Sequence, residues 1–315
     1  MKASPSAPSV AVIDLGSNSI KVLVATRAPD GRVVALKQRT IEARISAGLG
    51  QAAPQLGEDG MARGLDAVRT LLADAAEFVP ASTQLVATSA VRDAQNGQQF
   101  CDRVRAATGH VIRILSGEEE AKLIGRGLTC DPALTGLSDF YVFDLGGGSL
   151  ECLAFRNCHL QQAVSLQLGC VRLTESFVGD PAAVFEDATA ARIAAHTREL
   201  FARARFVFDL PRSAIAVATG GTMTSVRAIY ATCAGKTFEA TDSRITIAQL
   251  RELRTCLGAM PLAERIQVPG LPPARADVFP AALTTMIAIA ELGGLAAFRN
   301  SLHNLRWGLA AEMLD

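Results

Sequence analysis

One short pattern occurs twice in this chain, and it constrains the fold more than any other feature. Val12-Ile13-Asp14-Leu15-Gly16-Ser17-Asn18-Ser19-Ile20 returns 130 residues later as Val142-Phe143-Asp144-Leu145-Gly146-Gly147-Gly148-Ser149-Leu150. Asp, Leu, Gly and Ser coincide, and the apolar positions agree in kind. Each copy lies between two apolar runs: Val10 to Ile13 and Ile20 to Ala25 for the first, Tyr141 to Phe143 and Leu150 to Phe155 for the second. Strand, tight glycine turn, strand is the economical reading of both. A repeat at the spacing of one domain predicts a duplicated unit, each half opening with a β-hairpin whose turn reaches a ligand.

The intervening sequence fills in an α/β pattern. Helical periodicity covers Gly64 to Phe78, Gln98 to Thr108 and Glu118 to Leu128, with a short strand at Gln84 to Ala87. The second half carries a helix over Ala182 to Arg203 and an apolar strand, Ala214 to Ala218, that runs through Thr219-Gly220-Gly221-Thr222 into another helix. Ala281 to Ala290 and Leu305 to Leu314 read as helices, and Pro269 to Pro273 as a loop. Alternating strands and helices in each half predict α/β architecture. The expected boundaries are 1–123 and 124–299, with a C-terminal helix over 300–315 packing back on the first domain.

Small residues in a hairpin turn let backbone N–H groups approach a polyanion, where the missing Cβ of glycine matters most. Gly16, Ser17, Asn18 and Ser19, and Gly146, Gly147, Gly148 and Ser149, are therefore candidate phosphate-binding residues. The alternative for each copy is an ordinary tight turn. Asp14 and Asp144 would repel a phosphate directly, so they are assigned to holding a hydrated magnesium ion or orienting water. Gly220, Gly221 and Thr222 stand where a strand enters a helix, whose N-terminus favours an anion.

Ser116-Gly117-Glu118-Glu119-Glu120-Ala121 supplies the general-base candidates. Ser116 and Glu119 fit a capping box. Glu120 shares a helix face with Leu123, Ile124 and Gly127, and so faces packed structure, whereas Glu118 is freer to meet solvent. A partly buried carboxylate of raised pKa suits a base that deprotonates attacking water. Three acids decorating a helix start is the plain alternative. Arg92, within Thr88 to Asn96, could supply positive charge, as could Arg44, Arg172 and Lys21. Neither a Walker-type loop nor a G-x-G-x-x-G after a strand is present, which disfavours P-loop and Rossmann readings.

Composition excludes several other classes. The 315 residues carry zero formal net charge, so nucleic-acid binding through bulk charge is not expected. The seven cysteines form no C-x-x-C pair and the four histidines are scattered. That argues against a zinc cluster and for buried, reduced thiols. Residues 1–9 read as a flexible tail without a signal-peptide core, and no run reaches membrane-spanning length, so a cytoplasmic compartment is expected.

The motifs occur in the order of one family. Val12 to Ile20, Ala87 to Asn96, Ile114 to Ile124, Val142 to Glu151, Leu168 to Glu175, Ala218 to Thr222, Arg275 to Pro280 and Ser301 to Gly308 together resemble the exopolyphosphatase / guanosine pentaphosphate phosphatase family. The resemblance implies two ribonuclease-H-like domains of the actin, sugar kinase and Hsp70 ATPase superfamily around a central cleft. It also implies magnesium-dependent removal of terminal phosphate from polyphosphate, or of the 5′-γ-phosphate from guanosine pentaphosphate. By motif, Glu120 matches the catalytic glutamate, Asp144 a metal-associated aspartate and Arg92 a phosphate-contacting arginine. The two glycine turns match the phosphate loops, and a homodimer is a natural expectation.

The closing motif departs from the family pattern. Asn304 stands where a glycine is expected and Trp307 where a glutamate is. Long family members continue into a helical domain of the HD type, which this sequence does not reach, and an extended grip on long polyphosphate is accordingly not expected. Two other classes share the paired turns. A superfamily kinase or ATPase would transfer phosphate to an acceptor, and a sensor would bind polyphosphate or a guanosine alarmone without turnover.

Overall fold

The computed structural model describes residues 8–46 and 53–315. The chain divides into two compact units, Met1–Thr135 with His303–Asp315, and Gly136–Leu302. The sequence places the first boundary at 123/124. That point lies inside the continuous helix Gly117–Leu128, so the division falls after it.

The first unit is built on β1 (Ser9–Leu15), β2 (Ile20–Arg27), β3 (Val33–Ile41), β4 (Ser82–Ala87) and β5 (Ile112–Ile114), ordered β3-β2-β1-β4-β5. β1 pairs antiparallel with β2 and parallel with β4. Helices α1 (Glu58–Ala76), α2 (Ser89–Asp93), α3 (Gly97–Thr108) and α4 (Gly117–Leu128) complete it, and the C-terminal helix Leu305–Leu314 packs on α4, β1 and β2. The expected tail is shorter than the sequence suggests, because Ser9 already opens β1 and is buried. The rest of that tail, residues 1–7, lies outside the described residues. β1 is buried along its whole length, which explains its continuous apolar run. β3 is mostly exposed and alternates weakly, so its sequence carries little strand signal.

The second unit contains β6 (Phe140–Leu145), β7 (Leu150–Arg156), β8 (His159–Leu166), β9 (Ile215–Thr219), β10 (Arg244–Thr246) and β11 (Ala297–Asn300). Their order is β10-β11-β9-β6-β7-β8. Its helices are α5 (Cys170–Phe177), α6 (Asp187–Ala204), α7 (Gly220–Cys233), α8 (Ile247–Gly258), α9 (Leu262–Arg265) and α10 (Phe279–Gly293). Read from β8 to β11, this sheet repeats the order of the first unit and adds β10 at the edge. The correspondence extends to an irregularity. The β2–β3 register shifts between Val24 and Ala25, and the β7–β8 register shifts between Ala154 and Phe155, at the same repeat position. Two mixed α/β sheets of matching order are the duplicated unit that the repeat predicts, in the ribonuclease-H-like architecture that the family resemblance implies.

Each unit has its own core. Phe143 anchors an aromatic cluster with Phe206, Phe208 and Phe298 in the second, while Ile13, Leu15, Leu71 and Phe100 centre the first. The cysteines are all free, yet Cys158, Cys233 and Cys256 are exposed rather than buried. Cys158 and Asn157, both with positive φ, form the tight turn between β7 and β8, which puts that thiol at the surface. No helix among the described residues is long and apolar enough to cross a membrane.

Candidate functional site

In the first unit, the turn after β1 is closed by the Gly16 N–H donating to the Ser19 carbonyl at 3.1 Å. Ser17, Asn18 and Ser19 are all buried. The hydroxyls of Ser17 and Ser89 lie 3.2 Å apart, and the Asn18 amide nitrogen donates to Glu42 Oε2 at 2.7 Å. The Arg44 N–H donates to the Asn18 carbonyl at 2.8 Å, and Arg44 sits at a φ of 43°. The Asn18 amide nitrogen, expected to face a ligand, therefore braces the turn, as does the Arg44 backbone. Backbone N–H groups are what the turn itself can offer an anion.

The glutamates at the start of α4 take different positions. Ser116 and Glu119 form the expected capping box, and Glu119 also accepts from Arg113 at 2.6 Å. These hydrogen bonds lower the Glu119 pKa to about 2. Glu118 pairs with Lys122 at the surface at 2.7 Å. Glu120 is 6% exposed, beside the buried Leu123 and Ile124. Arg92 Nη1 donates to Glu120 Oε2 at 3.0 Å and to the Leu115 carbonyl at 2.9 Å. Glu120 is thus the buried one of the three, as its helical face predicts, and its neighbour is a guanidinium rather than a purely apolar wall. Arg92 keeps part of its side chain exposed, 23%.

In the second unit, the Gly146 N–H donates to the Ser149 carbonyl at 3.0 Å, reproducing the first turn. Here α5 starts directly on the turn. The Cys170 N–H donates to the Gly146 carbonyl at 3.0 Å, and the Val171 N–H to that of Gly147 at 2.9 Å. A Cβ on Gly169 would lie 2.2 Å from Gly148 C, so only glycine permits this approach. The buried Arg172 donates through Nε to the Gly148 carbonyl at 2.9 Å, fixing the turn. Ser149 is buried behind it.

The third glycine element is a strand end entering a helix, as expected. Gly220 has a φ of +86°, and a Cβ there would lie 2.5 Å from Asp144 Oδ1. Gly221 lies against the buried Arg275, whose Nη1 would be 2.2 Å from a Cβ at that position. Thr219 caps α7 without a side-chain hydrogen bond, and Thr222 is buried in its first turn. A glycine-lined helix start with a guanidinium against it is suited to an anion. Arg275 stands within a quoted motif, but its contact with Gly221 joins residues far apart in the chain and has no local signature.

The metal assignments separate on the two hairpins. Asp14 stands opposite Lys21 in the β1–β2 register, whereas Asp144 stands opposite Glu151 in the β6–β7 register. Burial pushes the Asp14 carboxyl above its ordinary range, opposed by the charges of Lys21 and Arg306. Asp144 lies against Gly220, and Glu151, 2% exposed, accepts from Ser165 Oγ at 2.8 Å. Two cross-strand carboxylates suit a hydrated magnesium ion; a carboxylate facing two cations does not. Glu151 is not singled out by the sequence, because its position opposite Asp144 emerges only once the hairpin register is known. Among the described residues no group of three or more His, Cys, Asp or Glu gathers as a metal site, so an ion held here would keep water ligands.

Comparison with known proteins places these features. The profile of the Ppx/GppA phosphatase family matches residues 23–315. A guanosine-5′-triphosphate,3′-diphosphate pyrophosphatase of Aliivibrio fischeri is 31% identical over 316 aligned residues, covering all of this chain and 61% of that protein. The chain therefore spans about three fifths of the curated relative it matches. An exopolyphosphatase from Cytophaga hutchinsonii has the same fold, with a TM-score of 0.87 at 21% identity over 98% of both chains. The PPX-GPPA enzyme of Aquifex aeolicus superposes with a TM-score of 0.76 at 22% identity, covering 98% of this chain and all of that one. The chain belongs to the Ppx/GppA phosphatase family.

Proposed function

We propose that this Ppx/GppA-family chain is a phosphoanhydride hydrolase that releases the terminal phosphate of inorganic polyphosphate, the 5′-γ-phosphate of guanosine pentaphosphate, or both, with Glu120 as the general base. The observation that carries the reading is the sorting of the three glutamates on α4. Glu119 is spent on the cap, Glu118 on Lys122 at the surface, and Glu120 is buried and oriented by Arg92. Family membership and the two matching glycine turns support the substrate class.

In this reading Glu120 accepts a proton from water as its oxygen bonds to the terminal phosphorus. The bridging P–O bond breaks and the shortened chain leaves with the electron pair. Arg92 holds the carboxylate, and its Nη2, which has no partner among the described residues, is the group that can meet a phosphate oxygen. Each unit offers backbone N–H groups to anionic oxygens, the first at its Gly16–Ser19 turn and the second at its Gly146–Ser149 turn and at Gly220 and Gly221. Asp144 and Glu151 would hold magnesium, which supplies positive charge to the phosphates when bound.

Phosphate release from short polyphosphate, long polyphosphate and guanosine pentaphosphate, compared between the unaltered chain and Glu120→Gln, tests the proposal. Loss of release with retained folding supports it; undiminished release would remove Glu120 from the role. ATP-dependent phosphorylation of an acceptor would favour the kinase reading, and tight binding of either substrate without turnover by the unaltered chain would favour a sensor.

A further inference from the structure

The second unit holds a cavity of about 660 Å³ at the opposite end of its sheet from the glycine turns. Tyr141, Ile215 and Ala297, at or near the first residues of β6, β9 and β11, line it, whereas Gly146 and Gly220 follow the last residues of β6 and β9. At about 3.3 Å per strand residue, the six residues of β6 separate the two ends by well over a phosphate's reach. The volume is in the range of small-molecule sites.

Three arginines line this cavity, Arg212, Arg244 and Arg299, and no lining residue is acidic. Arg244 and Arg299 stand directly opposite each other in the antiparallel β10–β11 pair. Like charges in that position repel and cost stability, a cost that an anion seated beside Arg244 would lower. Arg212 and Arg244 are exposed and form no ion pair among the described residues. The nearest acids along the chain are engaged: Asp209 pairs with Arg156 at 3.3 Å, and Asp242 accepts the Arg244 backbone N–H at 2.9 Å. Tyr141, Phe208 and Leu295 add apolar wall, and the Tyr141 hydroxyl is fixed by accepting from the Leu210 N–H at 2.8 Å.

We propose that this cavity is a second anion site, separate from the glycine turns, for a phosphate-bearing small molecule with a flat apolar part, the chemistry of a mononucleotide. Guanidinium groups recognise phosphate by paired N–H donation, and the apolar wall takes the ring. A bare phosphate would leave most of the volume empty.

The chain has only two tyrosines, Tyr141 and Tyr230, which gives a local reporter. Full-length protein labelled with 3-fluorotyrosine is titrated with guanosine monophosphate, the Tyr141 fluorine resonance being assigned with Tyr230→Phe. The expected result is a saturable shift of the Tyr141 resonance that guanosine at equal concentration does not produce. In Arg212→Gln/Arg244→Gln, two exposed changes that leave the fluorine spectrum of the free protein folded, the apparent affinity falls tenfold or more. No shift, an equal shift with guanosine, or unchanged affinity in the double variant would overturn the proposal. Because this readout does not involve phosphate release, it fails or succeeds independently of the role given to Glu120.

Discussion

Arg92 Nη1 lies 3.0 Å from Glu120 Oε2, and this contact sets apart one carboxylate of the three that open α4. Replacing Glu120 by Gln keeps shape and burial but removes the proton acceptor. Phosphate release should fall by about 10²-fold or more, the usual worth of a general base, while the thermal midpoint moves little. Arg92→Met, by contrast, removes the guanidinium that donates to this buried carboxylate. It should lower both rate and stability, the latter by roughly 1–3 kcal/mol in urea titrations.

Glu119 supplies the internal control. Its carboxylate is bound to Ser116 and Arg113, so Glu119→Ala should cost about 1 kcal/mol through loss of the cap and leave the ratio of rate to folded protein unchanged. The folded pKa, about 2, lies below the ordinary glutamate value of 4.5. The unfolded chain therefore binds the proton more readily, and the stabilisation is full above pH 4.5 and fades as pH falls toward 2. The gap in unfolding free energy between the parent and Glu119→Gln should narrow over that window. It should also shrink with salt, since the pair is exposed.

These assignments show how much the sequence made legible. The glycine turns, their flanking strands and the buried face of α4 were readable because each rests on local periodicity. β3 and β8 were not, because both are largely exposed and lack an apolar run. Glu151 and Arg275 were not singled out either. One acquires meaning from strand register and the other from a contact with Gly221 made through the fold. The repeat treats Asp14 and Asp144 alike, whereas the positions opposite them in the hairpins are Lys21 and Glu151.

That difference predicts a split in metal dependence. Asp144→Asn and Glu151→Gln should each raise the magnesium concentration needed for half-maximal activity by tenfold or more, and weaken Mn²⁺ binding followed by electron paramagnetic resonance. Asp14→Asn should leave Mn²⁺ binding unchanged. Its effect lies in stability, because burial raises the folded pKa of Asp14. The contribution of Asp14 is most favourable below the unfolded pKa, near 3.8, and is lost as pH rises through the folded value. Asp14→Asn should therefore gain on the parent in urea titrations as pH is raised from 3.5 to about 7.

Gly220 and Gly221 offer a test of the anion-binding helix start. An alanine at Gly220 must adopt a φ of +86° and meet Asp144; one at Gly221 must displace the Arg275 guanidinium. Gly221→Ala should reduce phosphate release by more than tenfold and cost about 1–3 kcal/mol. Gly179→Ala, where a Cβ meets nothing within 4 Å, should change neither.

The closest backbone approach in the first unit bears on the same carboxylate. A Cβ on Gly308 would lie 1.9 Å from the Leu123 carbonyl oxygen, and one on Gly127 would lie 2.0 Å from that of Asn304. Two glycines thus let the C-terminal helix meet α4 backbone to backbone, one turn from Glu120. The residues of the closing motif that depart from the family pattern are buried there: Trp307 has its ring centroid 4.0 Å from that of His303, and Asn304 stands at the N-cap position without a side-chain hydrogen bond to the helix. Neither side can yield by rotating a side chain, because the obstructing atoms are backbone. Gly308→Ala should therefore force the helices apart, costing at least about 1–3 kcal/mol and lowering the rate along with the melting temperature. Trp307→Phe, which keeps an aromatic against His303, should cost less than Gly308→Ala and leave the rate near that of the parent. A rate in Gly308→Ala equal to the parent's at full folding would show that α4 holds Glu120 without help from the C-terminal helix.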